Sequence, residues 1–324
     1  MKKSTKLVIA CSAIAAAVGA ATYAGAKLIS DATLNREEPK LITKIKGMAA
    51  GSDPEGALDS SVKTELKLGA ELLRAREAET PTVTARDGVC LTGHWVPHPN
   101  PKRVIIAMHG WRSSWTHDFS SISTFWYDTG CSVLYPDQRG QQASGGDYMS
   151  FGMLERFDCL DWISWVTEKC GKDIPVYLAG VSMGATSVLM ASEFELGENV
   201  KGILADCGFT EPDAIWRHVA KNNLHMPYSL QRGMVDGMCR KKLNLSARAC
   251  STTQALKKAT VPVLFVHGSE DHFVPVEMTY RNYVACTSPK KLLIVPGADH
   301  GMSYLVDRKA YQTMVKDFWK TWDK

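Results

Sequence analysis

A serine hydroxyl attacks a carbonyl efficiently only when a neighbouring base takes its proton, and a histidine serves as that base best when a carboxylate holds its ring. The sequence contains one ordered set of these residue types. Gly180-Val181-Ser182-Met183-Gly184 is a G-x-S-x-G pattern, whose glycines permit a turn sharp enough to expose the serine hydroxyl. With 25 Gly in 324 residues the bare pattern arises by chance in roughly one such chain in eight, so its surroundings must decide. Downstream, Asp271 lies in His267-Gly268-Ser269-Glu270-Asp271-His272-Phe273-Val274-Pro275, and His300 in Pro296-Gly297-Ala298-Asp299-His300-Gly301. The chemistry this set would perform is acyl transfer, with Ser182 as nucleophile, His300 as base and Asp271 as orienting acid. Glu270 and Asp206 compete with Asp271, and eight other histidines compete with His300. Upstream, His109-Gly110-Trp111 is placed to offer the Trp111 N–H, alongside the Met183 N–H, to a developing oxyanion.

These residues need a frame that brings them together, and each of them follows a short apolar run. The runs Val104–Met108, Ser132–Tyr135, Val176–Ala179, Gly202–Ala205, Val263–Val266 and Leu292–Val295 alternate with helical stretches. That alternation predicts an α/β fold with a mainly parallel sheet covered by helices. Ligands bind beyond the carboxyl ends of such strands, where Trp111, Ser182, Asp271 and His300 all fall. Ahead of the runs, Thr82 to Arg86 and Val89 to Val96 flank Asp87-Gly88, a signal for a type I′ hairpin. Leu58, Val62, Leu66 and Leu73 predict an amphipathic helix over 55–77. Residues 211–260 are too long for a simple connection and read as a helical cap. Its Trp216, His218, Met226, Tyr228, Met234 and Met238 would grip an apolar substrate or simply pack together. The same two readings, acyl pocket or helix packing, apply to Trp111, Trp115, Phe125, Trp126 and Tyr127.

From about Thr82 onward the sequence resembles the α/β-hydrolase superfamily, and within it is similar to bacterial membrane-anchored serine esterases. The stretches that carry the resemblance are His109-Gly110, Asp137-Gln138-Arg139-Gly140, Gly180 to Gly184, Ala205-Asp206-Cys207-Gly208-Phe209-Thr210, His267-Gly268 with Asp271 and Pro275, and Gly297 with His300. The resemblance implies a mostly parallel eight-stranded sheet flanked by helices, with a helical cap inserted. It implies Ser182, Asp271 and His300 as the catalytic set, Trp111 and Met183 as oxyanion donors, and no cofactor. Two positions depart from the pattern: Gln142 stands where a second glycine is common, and Asp299 replaces a glycine before the histidine. The second places an extra carboxylate beside the base, where it would raise the base's pKa. The expected activity is ester hydrolysis through an acyl-enzyme on Ser182, acting on a small-molecule ester or acyl substrate. A serine peptidase with the same triad and a non-catalytic hydrolase-like binding protein are the alternatives. A dehalogenase is excluded, since it would need a carboxylate in place of Ser182. Asp137 and Arg139 are expected to form a structural ion pair.

Composition narrows the field further. Lys and Arg number 38 against 34 Asp and Glu, and the first 29 residues contribute Lys2, Lys3, Lys6 and Lys27 with no acid. The remainder is therefore formally neutral, which argues against a nucleic-acid partner. It also offers no obvious charged anchor for a substrate, which favours uncharged or apolar esters. Leu7 to Ala26 is a twenty-residue run without a charge, long enough to cross a bilayer. Residues 1–29 are expected to be a signal anchor, or a signal peptide cleaved after Ala24-Gly25-Ala26, with residues 30–54 as a stalk and 55–324 as the hydrolase domain. The expected location is a membrane-anchored protein with an external catalytic domain, with secretion as the alternative. Nine cysteines show no C-x-x-C and no histidine at ligand spacing, so no metal site is expected. Arg240-Lys241-Lys242 is expected to be a solvated face.

Overall fold

The computed structural model describes residues 3–40, 60–223 and 227–323, with the side chains of residues 3–17 outside that description. Eight strands form one sheet in the order β1-β2-β4-β3-β5-β6-β7-β8. These are β1 (Thr82–Thr84), β2 (Cys90–Val96), β3 (Arg103–Met108), β4 (Cys131–Pro136), β5 (Val176–Val181), β6 (Val200–Asp206), β7 (Val263–Gly268) and β8 (Lys290–Val295). All pairings from β4 to β8 are parallel, while β1 and β2 form the antiparallel edge. The central strands are buried on both faces, and so read as continuous apolar runs instead of alternating ones.

Helices cover both faces. On one side α4 (Glu155–Cys170) and α5 (Met183–Ala191) bury Trp162 and Val188 against Leu91, Ile106 and Leu178. On the other, α2 (Ser60–Ala75), α3 (Trp115–Asp128) and α11 (Arg308–Trp322) bury Leu73, Phe119, Trp126 and Phe318 against Ile105, Tyr135 and Tyr177. The aromatic group after β3 is thereby divided. Trp115, Phe125 and Trp126 belong to this packing layer, whereas Trp111 sits among residues of the cap. The cap comprises α6 (Pro212–His218), the π-turn Val219–Asn223, α7 (Tyr228–Leu243) and the short α8 (Thr252–Ala255). Trp216 and Tyr228 are buried beneath it, Met234 is exposed, and Met226 lies outside the described residues.

Several expectations need correction. The first hairpin turns through Arg86, Asp87 and Gly88, and only Gly88 has a positive φ (+85°). A type I turn closed by a left-handed glycine fits this three-residue loop, whereas type I′ needs two positive φ values. The helix α1 runs unbroken through residue 29, from Lys3 to Leu34, with Ala26, Ile29 and Leu34 buried against the cap. Residues 30–34 are therefore docked helix, not stalk, and residues 41–54 of the expected stalk lie outside the described residues. Among the described residues no helix is long and apolar enough to cross a membrane, and much of the uncharged run, residues 7–17, falls where side chains are not described. Lys242 is not solvated, because its Nζ donates to Asp31 Oδ1 and Asn35 Oδ1 of α1, each at 2.7 Å.

Arg139 does not pair with Asp137. Its guanidinium grips Asp158 through two bonds of 2.7 and 2.5 Å and reaches Asp87 at 2.6 Å, while Asp137 accepts from His94 and the Ala143 N–H. The fork of Arg139 joins the hairpin turn to α4 across a site where both charged groups are almost wholly buried. Removing one partner of a buried pair strands the other charge. Arg139→Ala is therefore expected to lower the unfolding free energy by about 3–5 kcal/mol in urea titrations, with Arg139→Lys recovering only part because it cannot bond bidentately.

Candidate active site

β5 ends at Val181 and α5 begins at Met183, so the chain reverses direction at Ser182 alone. Ser182 adopts φ +55° and ψ −115°, a strained conformation for a residue with a Cβ. The two glycines of the pattern make this turn possible. A Cβ on Gly180 would lie 2.3 Å from the Gly184 carbonyl carbon, and one on Gly184 would lie 1.9 Å from the Met108 carbonyl oxygen. Only glycine fits either position.

The sheet brings the remaining groups to this turn. The Ser182 N–H donates to the Asp206 carbonyl at the end of β6, and the loops after β7 and β8 supply Asp271 and His300. His300 Nε2 lies 2.9 Å from Ser182 Oγ, and His300 Nδ1 lies 2.7 Å from Asp271 Oδ2. Burial alone would raise the Asp271 carboxyl. Hydrogen bonds from His267 and His300, with the backbone N–H of Val274, hold it well below the usual carboxylate range. It is therefore an anion facing Nδ1 of His300, an arrangement that favours the ring proton there and leaves Nε2 toward the Ser182 hydroxyl.

Of the two rivals for the acid position, Asp206 bonds elsewhere: its Oδ1 accepts from Ser303 Oγ at 3.0 Å, on the helical turn α10 (Ser303–Val306) just after the base. Glu270 is exposed, and its N–H donates to the Ala298 carbonyl. Asp299 braces the loop backbone, accepting from the N–H groups of His272 and His300 at 3.0 and 2.8 Å. Burial would raise this carboxyl, and those bonds together with the His272 ring bring it below its ordinary value. Gln142 adopts φ +45°, so the position keeps a left-handed conformation without the glycine.

Gly110 packs directly against the nucleophile turn, since a Cβ placed on it would lie 3.5 Å from Ser182 Cβ. Its N–H donates to Asp118 Oδ2 at 2.6 Å, and Ser113 Oγ donates to the other oxygen. His109 accepts from the Gln138 N–H at Nε2, which puts its proton on Nδ1 against the Gly110 carbonyl. The adjacent Trp111 thus leaves a loop pinned at several points. Met183 opens α5, where first-turn N–H groups lack helical partners and meet the positive end of the helix dipole.

Sequence reasoning missed His267, Asp118 and the end of α1. His267 is fully buried, with Nε2 shared between the Val274 carbonyl at 2.8 Å and Asp271 Oδ2 at 3.1 Å, and Nδ1 held by Thr279 at 2.7 Å. Its place at the end of β7, four residues before Asp271, was the available signal. Cys207 Sγ, an Asp271 oxygen and a His300 nitrogen lie within 4.8 Å of one another, the spacing of a metal cage. The ring and carboxylate atoms are already bonded to each other and to Ser182, and burial pushes the Cys207 thiol far up, so the set is arranged for proton transfer.

A chain reversal that places a serine at the carboxyl end of a parallel sheet, with an aspartate and a histidine on the last two strand loops bonded in series to it, is the architecture of an α/β-hydrolase. The chain belongs to the prolyl oligopeptidase family (peptidase S9), whose model matches residues 117–324. It is 28% identical over 225 residues to the uncharacterized protein YqkD of Bacillus subtilis (strain 168), covering 69% of this chain and 73% of that one. It is 24% identical over 261 residues to a bifunctional esterase/perhydrolase of Acinetobacter calcoaceticus, covering 68% and 92%. Among solved structures the Pyrococcus furiosus esterase Pf2001 superposes with a TM-score of 0.61 at 22% identity, over 78% of this chain and 95% of that one. The family and these relatives make the protein a serine hydrolase of the esterase/peptidase type.

Behind the triad, burial pushes the Asp206 carboxyl up to about 6, partly offset by His267, Ser303 and His300. Its folded value lies above the ordinary 3.8, so its contribution to stability is fully present below about pH 4 and lost as pH rises through about 6. Asp206→Asn removes this dependence. The melting temperature of the variant relative to wild type is expected to climb between pH 4 and pH 7, an effect on the order of 3 kcal/mol from end to end. A difference that stays flat across that range would show that the carboxyl is not raised.

Proposed function

We propose that the protein is a carboxylesterase that cleaves uncharged or apolar esters through an acyl-enzyme on Ser182. The observation that carries the reading is the continuous chain from Ser182 Oγ through His300 to Asp271, at 2.9 and 2.7 Å, on a turn that presents the hydroxyl at the end of the sheet. His300 takes the serine proton as Oγ attacks the carbonyl, Asp271 stabilises the resulting imidazolium, and the Trp111 and Met183 N–H groups receive the oxyanion. The proton passes to the leaving alcohol, and water, deprotonated by the same histidine, releases the acid. The esterase relatives and the formally neutral charge of the sequence beyond residue 29 support esters over peptides, while the family match keeps a peptidase as the second reading. The proposal also places the catalytic domain outside a membrane, held by the uncharged run Leu7–Ala26 that follows Lys2, Lys3 and Lys6, with a secreted form as the alternative.

The purified protein is expected to react with a fluorophosphonate probe and to hydrolyse p-nitrophenyl esters, with the chain-length optimum reporting the acyl pocket. Ser182→Ala should abolish labelling and lower kcat by roughly 10³-fold or more, and Asp271→Asn should lower kcat by about 10³–10⁴-fold with labelling slowed in parallel. Turnover of peptide p-nitroanilides in preference to esters would favour the peptidase. Folded protein that neither labels nor turns over would exclude both.

A further inference from the structure

Two consecutive side chains tie the oxyanion loop to the N-terminal helix. Trp111 Nε1 donates to the Thr33 carbonyl at 3.1 Å. Arg112 Nη2 donates to the carbonyls of Ala32 and Asn35 at 3.0 and 2.6 Å, and its Nη1 to that of Arg36 at 3.0 Å. Since α1 ends at Leu34, these acceptors include carbonyls that no later helical N–H can reach. A guanidinium there also meets the negative end of the helix dipole. Arg112 holds φ +52° to make these bonds, a left-handed conformation uncommon for a residue with a side chain.

The helix end is itself fixed on the body of the protein. Asp31 and Asn35 accept from Lys242 of α7, the Met149 N–H donates to the Leu34 carbonyl at 2.7 Å, and the Arg36 N–H donates to that of Asp147 at 2.8 Å. Ala26 and Leu34 are fully buried. On the opposite side of the loop, Asp118 holds the Gly110 N–H. The peptide unit that carries the Trp111 N–H is thus clamped between Asp118 before it and the end of α1 after it.

We propose that Arg112 and the end of α1, residues 32–36, are a positioning device that aims the Trp111 N–H at the oxyanion. The proposal rests on the acyl-enzyme reading. An oxyanion donor works because it is oriented before charge develops, and a misplacement of about 1 Å can cost on the order of 100-fold in rate. Arg112 touches no reacting atom and acts through its neighbour. All these hydrogen bonds lie beyond Ala26, so cleavage after Ala24-Gly25-Ala26 would leave them in the mature chain. Residues 27–36 then belong to the enzyme whether or not the segment before them is retained.

The test compares full-length wild type, Arg112→Lys, Arg112→Ala and Trp111→Phe by fluorophosphonate labelling rate, by kcat and KM on the best p-nitrophenyl ester, and by melting temperature. Arg112→Ala is expected to lower kcat and labelling rate together by roughly 10–100-fold with KM within about threefold, and Arg112→Lys to fall between it and wild type. Trp111→Phe keeps the backbone N–H and removes only the bond to Thr33, so a smaller loss in the same two quantities is expected. Unchanged kcat in the Arg112 variants, or a loss seen only in melting temperature, overturns the proposal. Should Arg112→Ala fail to fold, Trp111→Phe decides by the same split, since a merely structural bond would leave its kcat untouched. A wild type that neither labels nor turns over removes the hydrolase reading and this proposal with it, whereas an active wild type with unaffected variants removes this proposal alone.

Discussion

The structure depends on one backbone conformation, the left-handed turn at Ser182 between β5 and α5. Such a conformation costs on the order of 1–3 kcal/mol and persists only where its surroundings overdetermine it. Here they do so through contact. Gly184 sits against the Met108 carbonyl of the adjacent strand, Gly180 against Gly184, and the Ser182 N–H on the Asp206 carbonyl. The parallel register that pairs Met108 with Gly180 and Gly180 with Ala205 therefore sets where the hydroxyl emerges. The loops after β3, β7 and β8 can converge on it because their strands end at the same edge. A sheet slipped by one residue would turn every side chain to the other face and take the turn with it.

That dependence explains what could be read from the sequence. The strands of the parallel middle were visible because burial on both faces makes them read as uninterrupted apolar runs, β1 and β2 were visible as a hairpin, and Ser182, Asp271 and His300 each follow an apolar run closely. These three residues meet within hydrogen-bond distance because their spacing from a strand end survives folding unchanged. The partner of Arg139 was not legible for the converse reason. Asp137 is near in sequence, but the backbone of that loop sends the guanidinium to Asp87 and Asp158, which approach only once the hairpin and α4 are packed. The hairpin turn was misassigned because Asp-Gly also serves as the last two residues of a three-residue loop, and the dipeptide alone does not count the residues before it.

The role of α1 was hidden for a different reason. An uncharged run after lysines reads as a targeting segment, and that reading directs attention to residues 7–26, away from the ten that follow. Yet the polar residues just past the run carry the docking. Asp31 and Asn35 meet Lys242, Arg36 reaches the Gln142 and Ser144 carbonyls, and the helix end receives Arg112. A Lys-Lys pair at the end of α7 and a helix end separated from it by over 200 residues give no sequence signal of their meeting.

A charged site buried this deeply would be unstable unless its charges compensated one another. Asp271 is kept ionised by a shared set of donors: His300 and His267 on one oxygen, two backbone N–H groups on the other. His267 is in turn held by Thr279 and the Val274 carbonyl, so the residue that supports the acid is itself fixed at both ring nitrogens. Asp206 accepts from the Ser303 hydroxyl, and there the burial that Asp271 overcomes prevails. Two carboxyls at the ends of neighbouring strands are thus driven in opposite directions, Asp206 by burial and Asp271 by its hydrogen bonds. The one that stays ionised is the one that faces His300, which is the division of labour that the proposed proton transfer through His300 requires.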